Sequence, residues 1–299
     1  MIDLDVLRRG IVWAMKKNLN IQFVYPDYAL PKEYDEVIET IDHTKIKPEA
    51  QADGADVVVL TKWKDRIGDC ADRVTCIIHA SRQELSDNID NVKLLLGKAA
   101  RVNVVLTDVE TFNETEADSY SRTLGVLAEH IVDLYARGCN PQLNLLTDRL
   151  TLTQMNNCGA GDTSITLATD GRFYLCPAYV GVDDSEHQSR LSSSEASVPI
   201  GDLTSGLDIK NPQLLRLDHA PICRVCDAFH CRRCVWMNDR LTGDMNTPSH
   251  QQCMVSHLER NASRRLQQKL AERGIRLEGS KEIPELDYLD PFVIATRWK

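Results

Sequence analysis

Apolar positions at helical spacing open the chain: Leu4, Leu7, Ile11 and Met15 predict an amphipathic helix. Residues 21–25 read as a strand, stopped by Pro26, and residues 34–41 as a short helix. Residues 57–60 and 74–78 are continuous apolar runs, the pattern of parallel strands buried on both faces. Ser81 and Glu84 form a capping-box signature ahead of Leu85, Ile89, Val92 and Leu96, which predict one helix. Residues 102–106 give a fourth strand. Tyr120, Leu124, Leu127, Ile131 and Leu134 then mark a long helix closed by Gly138, and residues 143–146 give a fifth strand.

Strands separated by helices predict an α/β fold with a mainly parallel sheet over residues 1–150, either an open sheet or a partial (β/α) barrel. Beyond residue 150 the texture changes. Residues 164–167 and 172–175 are short strand patterns joined across Asp170-Gly171, a hairpin signal. Residues 183–198 are polar and serine-rich, which predicts a loop. Residues 254–272 read as a helix with Leu258, Ala262, Leu266 and Leu270 on one side, and the apolar tail 288–298 is expected to dock back. The expected organisation is an α/β domain over 1–150, a small cysteine-rich domain over 151–260, and a C-terminal helix and tail over 261–299.

The net charge of −9 removes the general phosphate attraction that drives nucleic-acid binding. No run of eighteen apolar residues exists to span a membrane. The N-terminus lacks the basic and then apolar segments of a signal peptide, so a cytoplasmic location is expected. In a reducing compartment, ten cysteines point to metal rather than to disulfides.

Seven of those cysteines form a pattern: Cys158-x12-Gly171-x4-Cys176, a gap, Cys223-x2-Cys226-x4-Cys231-x2-Cys234, then x18 and Cys253. Thiolates hold iron–sulfur clusters, usually four to a cluster, and also structural zinc as two C-x2-C knuckles. Seven exceed one tetrahedral zinc. The alternative is a single zinc on Cys223, Cys226, Cys231 and Cys234, although those knuckles are tightly spaced for it.

The full pattern resembles the SPASM domain, the C-terminal extension of radical-SAM enzymes that mature ribosomally made peptides or proteins. In that family the pattern is C-x9–15-G-x4-C, a gap, C-x2-C-x5-C-x3-C, a gap and a last cysteine. Here the spacings before Cys231 and Cys234 are each one residue short, and Gly201-Asp-Leu203 is similar to a glycine-containing segment common before the second cysteine group. The resemblance covers roughly residues 150–260 and implies two [4Fe–4S] clusters with crossed ligand sets. Cys158, Cys176 and Cys234 would hold one cluster, and Cys223, Cys226, Cys231 and Cys253 the other. For the incomplete first set, Cys139, Asp162 or an iron left open to a substrate thiolate are the candidates.

Radical-SAM enzymes also carry C-x3-C-x2-C after the first barrel strand. The corresponding loop, residues 26–31, has no cysteine. The cysteines outside the seven, Cys70, Cys76 and Cys139, do not rebuild that motif, and residues 61–64 replace the expected glycine-rich segment. The resemblance therefore implies a radical-SAM-like protein with no S-adenosylmethionine site. It would bind a precursor peptide, or a complete radical-SAM partner enzyme, and transfer electrons. Peptide maturases of the cysteine-repeat (CXXX repeat) type are the relatives it suggests. Two other readings stay open, an enzyme using its auxiliary clusters or strand-end face directly, and a zinc-stabilised interaction protein.

His79, Asp108 and Asp148 end strands or loops and could converge on a pocket, or serve as caps and solvated groups. His230 could replace a thiolate. Arg260, Arg264, Arg265, Lys269 and Arg273 read as a solvated basic face or as a site for an acidic partner. No nucleophile-elbow, P-loop or H-E-x-x-H motif is present.

Overall fold

The computed structural model describes residues 1–61, 63, 73–181 and 199–292. The chain begins with α1 (Leu4–Lys16), β1 (Gln22–Val24), α2 (Lys32–Ile38), β2 (Thr44–Pro48), β3 (Val57–Leu60) and β4 (Thr75–Ala80). It continues with α3 (Arg82–Asp87), α4 (Ile89–Leu96), β5 (Arg101–Leu106), α5 (Glu114–Ala136) and α6 (Asp148–Thr151). Four short strands follow, β6 (Thr166–Leu167), β7 (Arg172–Tyr174), β8 (Gly201–Asp202) and β9 (Gly206–Leu207). The last helices are α7 (Val235–Thr242) and α8 (His250–Glu272). Two compact units emerge, each discontinuous in sequence. Met1–His43, Asn157–Cys226 and Arg232–Ser249 form the first; Thr44–Asn156, Asp227–Cys231 and His250–Lys299 form the second.

The second unit holds the parallel sheet of an α/β fold. β2, β3, β4 and β5 lie side by side in chain order, with Val58 opposite Cys76 and Ile78 opposite Val104. An unreversed order has no switch point, and right-handed crossovers then keep the helices on one face. Burial follows that rule. Val58, Leu60, Cys76, Ile78, Ala80, Val102 and Val104 are buried in matching columns, while Val57, Val59 and Ile77 are half-buried and Val105 is exposed. The expected burial on both faces therefore holds for one face only.

Two strand expectations change. β2, Thr-Lys-Ile-Lys-Pro, has no apolar run to reveal it, and all five residues are half-buried. Residues 143–146 form a single bridge, Leu143 to Val102, and then turn. The reason lies in two side chains. The Asn144 amide accepts from Val104 N and donates to Val104 O, both at 2.8 Å, replacing the next ladder residue. The Thr147 hydroxyl accepts from Leu143 N at 2.8 Å and donates to Leu143 O at 3.0 Å, curling the backbone away.

The predicted helix over 85–96 is two helices. α3 starts on the Ser81–Glu84 capping box, and the chain breaks at Asn88 before α4. α5 starts on a second box, Asn113 with Glu116. α8 packs along α5, and its basic residues face that helix rather than only water. Arg265 reaches Ser121, Lys269 reaches Glu129 and Arg273 reaches Asp133. Arg260, expected on the solvated face, is wholly buried against Asp227.

In the first unit, α1 and α2 bury Leu7, Ile11, Tyr34 and Ile38 together. The strands β6 to β9 form an antiparallel meander whose core includes Phe173, Leu175, Tyr179, Leu215 and Val235. Trp13 of α1 lies 4.7 Å from the Phe173 ring and joins α1 to the meander. Among the described residues, no helix is long and apolar enough to cross a membrane.

Candidate metal centre

The predicted hairpin forms as the sequence suggests. Thr166 pairs with Tyr174 and Leu167 with Phe173 across the turn. Gly171 holds φ +78°, a conformation that favours glycine, and Asp170 accepts from Arg172 N and from the Tyr174 hydroxyl. This turn places Cys176 two residues past β7, where the backbone tightens into a 3-10 turn at Pro177–Tyr179. Burial pushes the Cys176 thiol up. The backbone N–H of Ala178 pulls it back, nearby Cys158 raises it again, and the N–H of Tyr179 lowers it. The sulfur is thus set beside a second cysteine and before amide donors suited to a thiolate.

Cys158 precedes a tight loop. Gly159 O accepts from the backbone N–H of Asp162, Thr163 and Ser164 at 3.0, 2.8 and 2.9 Å. Gly159 holds φ +75°, and a Cβ there would meet Thr163 Oγ1 at 2.2 Å. The loop leaves Cys158 exposed and close enough to Cys176 for their charges to interact. Asp162, the carboxylate considered for the open position, is paired with Arg216 Nε at 3.1 Å.

Cys234 caps α7: its sulfur accepts from Met237 N at 3.4 Å. Arg232 and Arg233, inside the short C-x2-C, both lie in the left-handed region at φ +62° and +43°. Two such residues in succession bend the backbone just before Cys234. Tyr179 links Cys234 to the hairpin. Burial, then Asp239, then the charges of Cys176 and Cys234 hold its hydroxyl well above the usual phenol range. Cys158, Cys176 and Cys234 therefore share one neighbourhood in the first unit.

Cys223 is buried within the turn Cys223–Val225, and Cys226 N donates to Cys223 O at 3.2 Å. In the second unit, Cys231 Sγ accepts from Gln252 Nε2 at 3.6 Å, and Cys253 follows that glutamine on α8. Among the described residues, no three His, Cys, Asp or Glu side chains are arranged to hold a metal ion.

His230 is bound into a buried triad. Its Nε2 is 3.1 Å from Glu259 Oε2, and Tyr120 donates to Glu259 Oε1 at 2.6 Å. Burial, reinforced by Glu259, holds the Tyr120 hydroxyl well above its usual range. Periodicity could not have revealed this set, because Tyr120 and Glu259 read as ordinary positions on two helices. The strand-end trio is separated into structural pairs: Asp108 binds Arg82 at 2.9 Å, Asp148 binds Arg101 at 2.6 Å, and His79 is exposed. Cys139 is exposed in the turn after α5, and Cys76 is buried in β4. Cys70, Lys62, Lys64 and residues 183–198 lie outside the described residues, as do 293–298 of the tail. Comparison with protein-family models and with curated proteins gives no match for this chain.

Proposed function

We propose that this chain is an iron–sulfur protein of SPASM type. Its α/β half would be a radical-SAM-like partial barrel, serving maturation of a ribosomally synthesised peptide. It would act by holding a precursor peptide or a partner enzyme and by transferring electrons, without S-adenosylmethionine cleavage of its own. One observation carries the reading. Cys234 lies near the Cys158–Cys176 hairpin through Tyr179, although Cys231 is nearer to it in sequence. That grouping supports the reading in which Cys234 joins Cys158 and Cys176 in one ligand set.

The donor types suit such a group, although among the described residues no three His, Cys, Asp or Glu side chains are arranged to hold a metal ion. Cys176 and Cys234 each lie before backbone N–H donors, and Cys158 is exposed. A cluster bound there would supply one-electron transfer at a site open to solvent on one side. Cys223, Cys226, Cys231 and Cys253 would serve the second cluster, as the sequence pattern implies.

Anaerobic purification of the full chain tests the reading. About eight irons and as many sulfides per chain, with broad visible absorbance, are expected for two clusters. A colourless protein with stoichiometric zinc would overturn it. Tight S-adenosylmethionine binding with reductive cleavage would overturn the claim that the chain has no such site.

A further inference from the structure

Arg233, between Cys231 and Cys234, is only 1% exposed and heads the large buried side chains among the described residues. Its guanidinium is held by neutral oxygens. Nη1 donates to Asn157 Oδ1 at 3.1 Å and Leu215 O at 2.9 Å. Nη2 donates to Leu214 O at 3.4 Å, to Met245 O at 3.3 Å and to Asn246 Oδ1. Nε is buried and has no hydrogen-bond partner. Among the described residues, no carboxylate stands at ion-pair distance from it. Burial loosens the Arg233 proton, while the charges of Cys223, Cys158 and Asp244 tighten it.

An arginine does not shed its proton in a protein, so the fold keeps a permanent cation in its interior. Such a charge is costly to bury unless an anion meets it. The chain also turns through two left-handed residues, Arg232 and Arg233, where the cation is placed. Besides the Asp244 carboxylate, the groups beside it that can become anionic are the sulfurs of Cys158 and Cys223. Protonated, they offer no charge; as metal-bound thiolates, four of them on one centre leave it net negative.

We propose that Arg233 is the fixed counter-charge of the thiolate centres, set beside Cys158 of one ligand set and Cys223 of the other, with its Nε–H left to donate to sulfur. This rests on the reading of these cysteines as cluster ligands. Reduction adds one negative charge to a cluster, so a fixed cation favours the reduced form and raises the potential.

The test uses the full chain, purified anaerobically, as wild type, Arg233→Gln, Arg233→Lys and Asn157→Asp. Iron and sulfide are counted first. Dithionite titration followed by electron paramagnetic resonance then gives midpoint potentials. Arg233→Gln is expected to shift the equilibrium at least tenfold toward the oxidised form, about 59 mV for one electron. Arg233→Lys should keep most of the wild-type value. Asn157→Asp keeps every atom of Arg233 but sets a carboxylate at Nη1, and should lower the potential in the same direction.

Loaded variants with unchanged potentials would overturn the proposal, as would a lysine variant no better than glutamine. If Arg233→Gln does not fold by circular dichroism, Asn157→Asp decides alone. If the wild type carries zinc and no sulfide, the cluster reading has failed, and the counter-charge is judged on zinc retention. Asn157→Asp and Arg233→Gln should then lose zinc to a chelating dye about tenfold more readily, and equal retention would overturn it. A chain that holds neither metal overturns both.

Discussion

Asp227→Asn is the sharpest test of how the segment carrying Cys231 is held. Asp227 Oδ1 and Oδ2 accept from Arg260 Nε at 3.1 and 3.0 Å, and Oδ2 from Arg260 Nη2 at 2.6 Å. Arg149 Nη2 adds a contact at 3.5 Å, while its guanidinium lies 4.2 Å over the Phe229 ring. Arg260 is 0% exposed and the Asp227 side chain 25%. Removing one partner of a buried pair costs about 3–5 kcal/mol, because the other charge is left uncompensated. Partial exposure of Asp227, and the amide oxygen that still accepts one bond, put Asp227→Asn near the lower end, about 3 kcal/mol. Urea unfolding followed by circular dichroism measures this loss. The double variant Asp227→Asn with Arg260→Met removes both charges and should cost less than the sum of the singles by at least about 1 kcal/mol. A single-variant loss below about 1 kcal/mol, or simple additivity, would refute the idea that this pair anchors residues 227–231 to α8.

Two further outcomes follow from other sites. Burial outweighs the nearby Asp227 and depresses the His257 pKa, so the folded state favours the neutral ring. Its stabilising contribution is full above the unfolded value of about 6.5 and is lost as pH falls through the lower folded value, so His257→Gln should flatten the decline in melting temperature between pH 7 and 5. Gly159→Ala forces a Cβ onto Thr163 Oγ1 and a left-handed alanine, a cost of about 1–2 kcal/mol from conformation alone. It should lower the metal bound per chain with helix content unchanged by circular dichroism, and adding Thr163→Ala should recover part of the loss; full metal retention in the single variant would refute the role given to this loop.

Several local features were legible because they depend on neighbouring residues. The Ser81–Glu84 box, the Asp170-Gly171 turn and the helix from Leu258 to Leu270 each depend on contacts within a few positions. β2 is not legible in the sequence because Thr-Lys-Ile-Lys-Pro carries its strand identity in its register with β3 rather than in an apolar run. The loss of the fifth strand has the opposite cause: residues 143–146 look like a strand, but Asn144 and Thr147 side chains take over its hydrogen bonds.

The sequence by itself determined the α/β class, the hairpin and the cysteine pattern, because periodicity, turn residues and ligand spacing are all local. Only the tertiary structure decided which charges are buried. Arg260 and Arg233 look alike as basic residues in the sequence; one meets Asp227, and the other is enclosed among neutral oxygens beside Cys158 and Cys223. The physical reason is that a charge's cost depends on what surrounds it after folding, and those surroundings come from segments far apart in the chain. The same is true of Cys234, whose charge meets Tyr179 beside Cys176, residues more than fifty positions away in the chain.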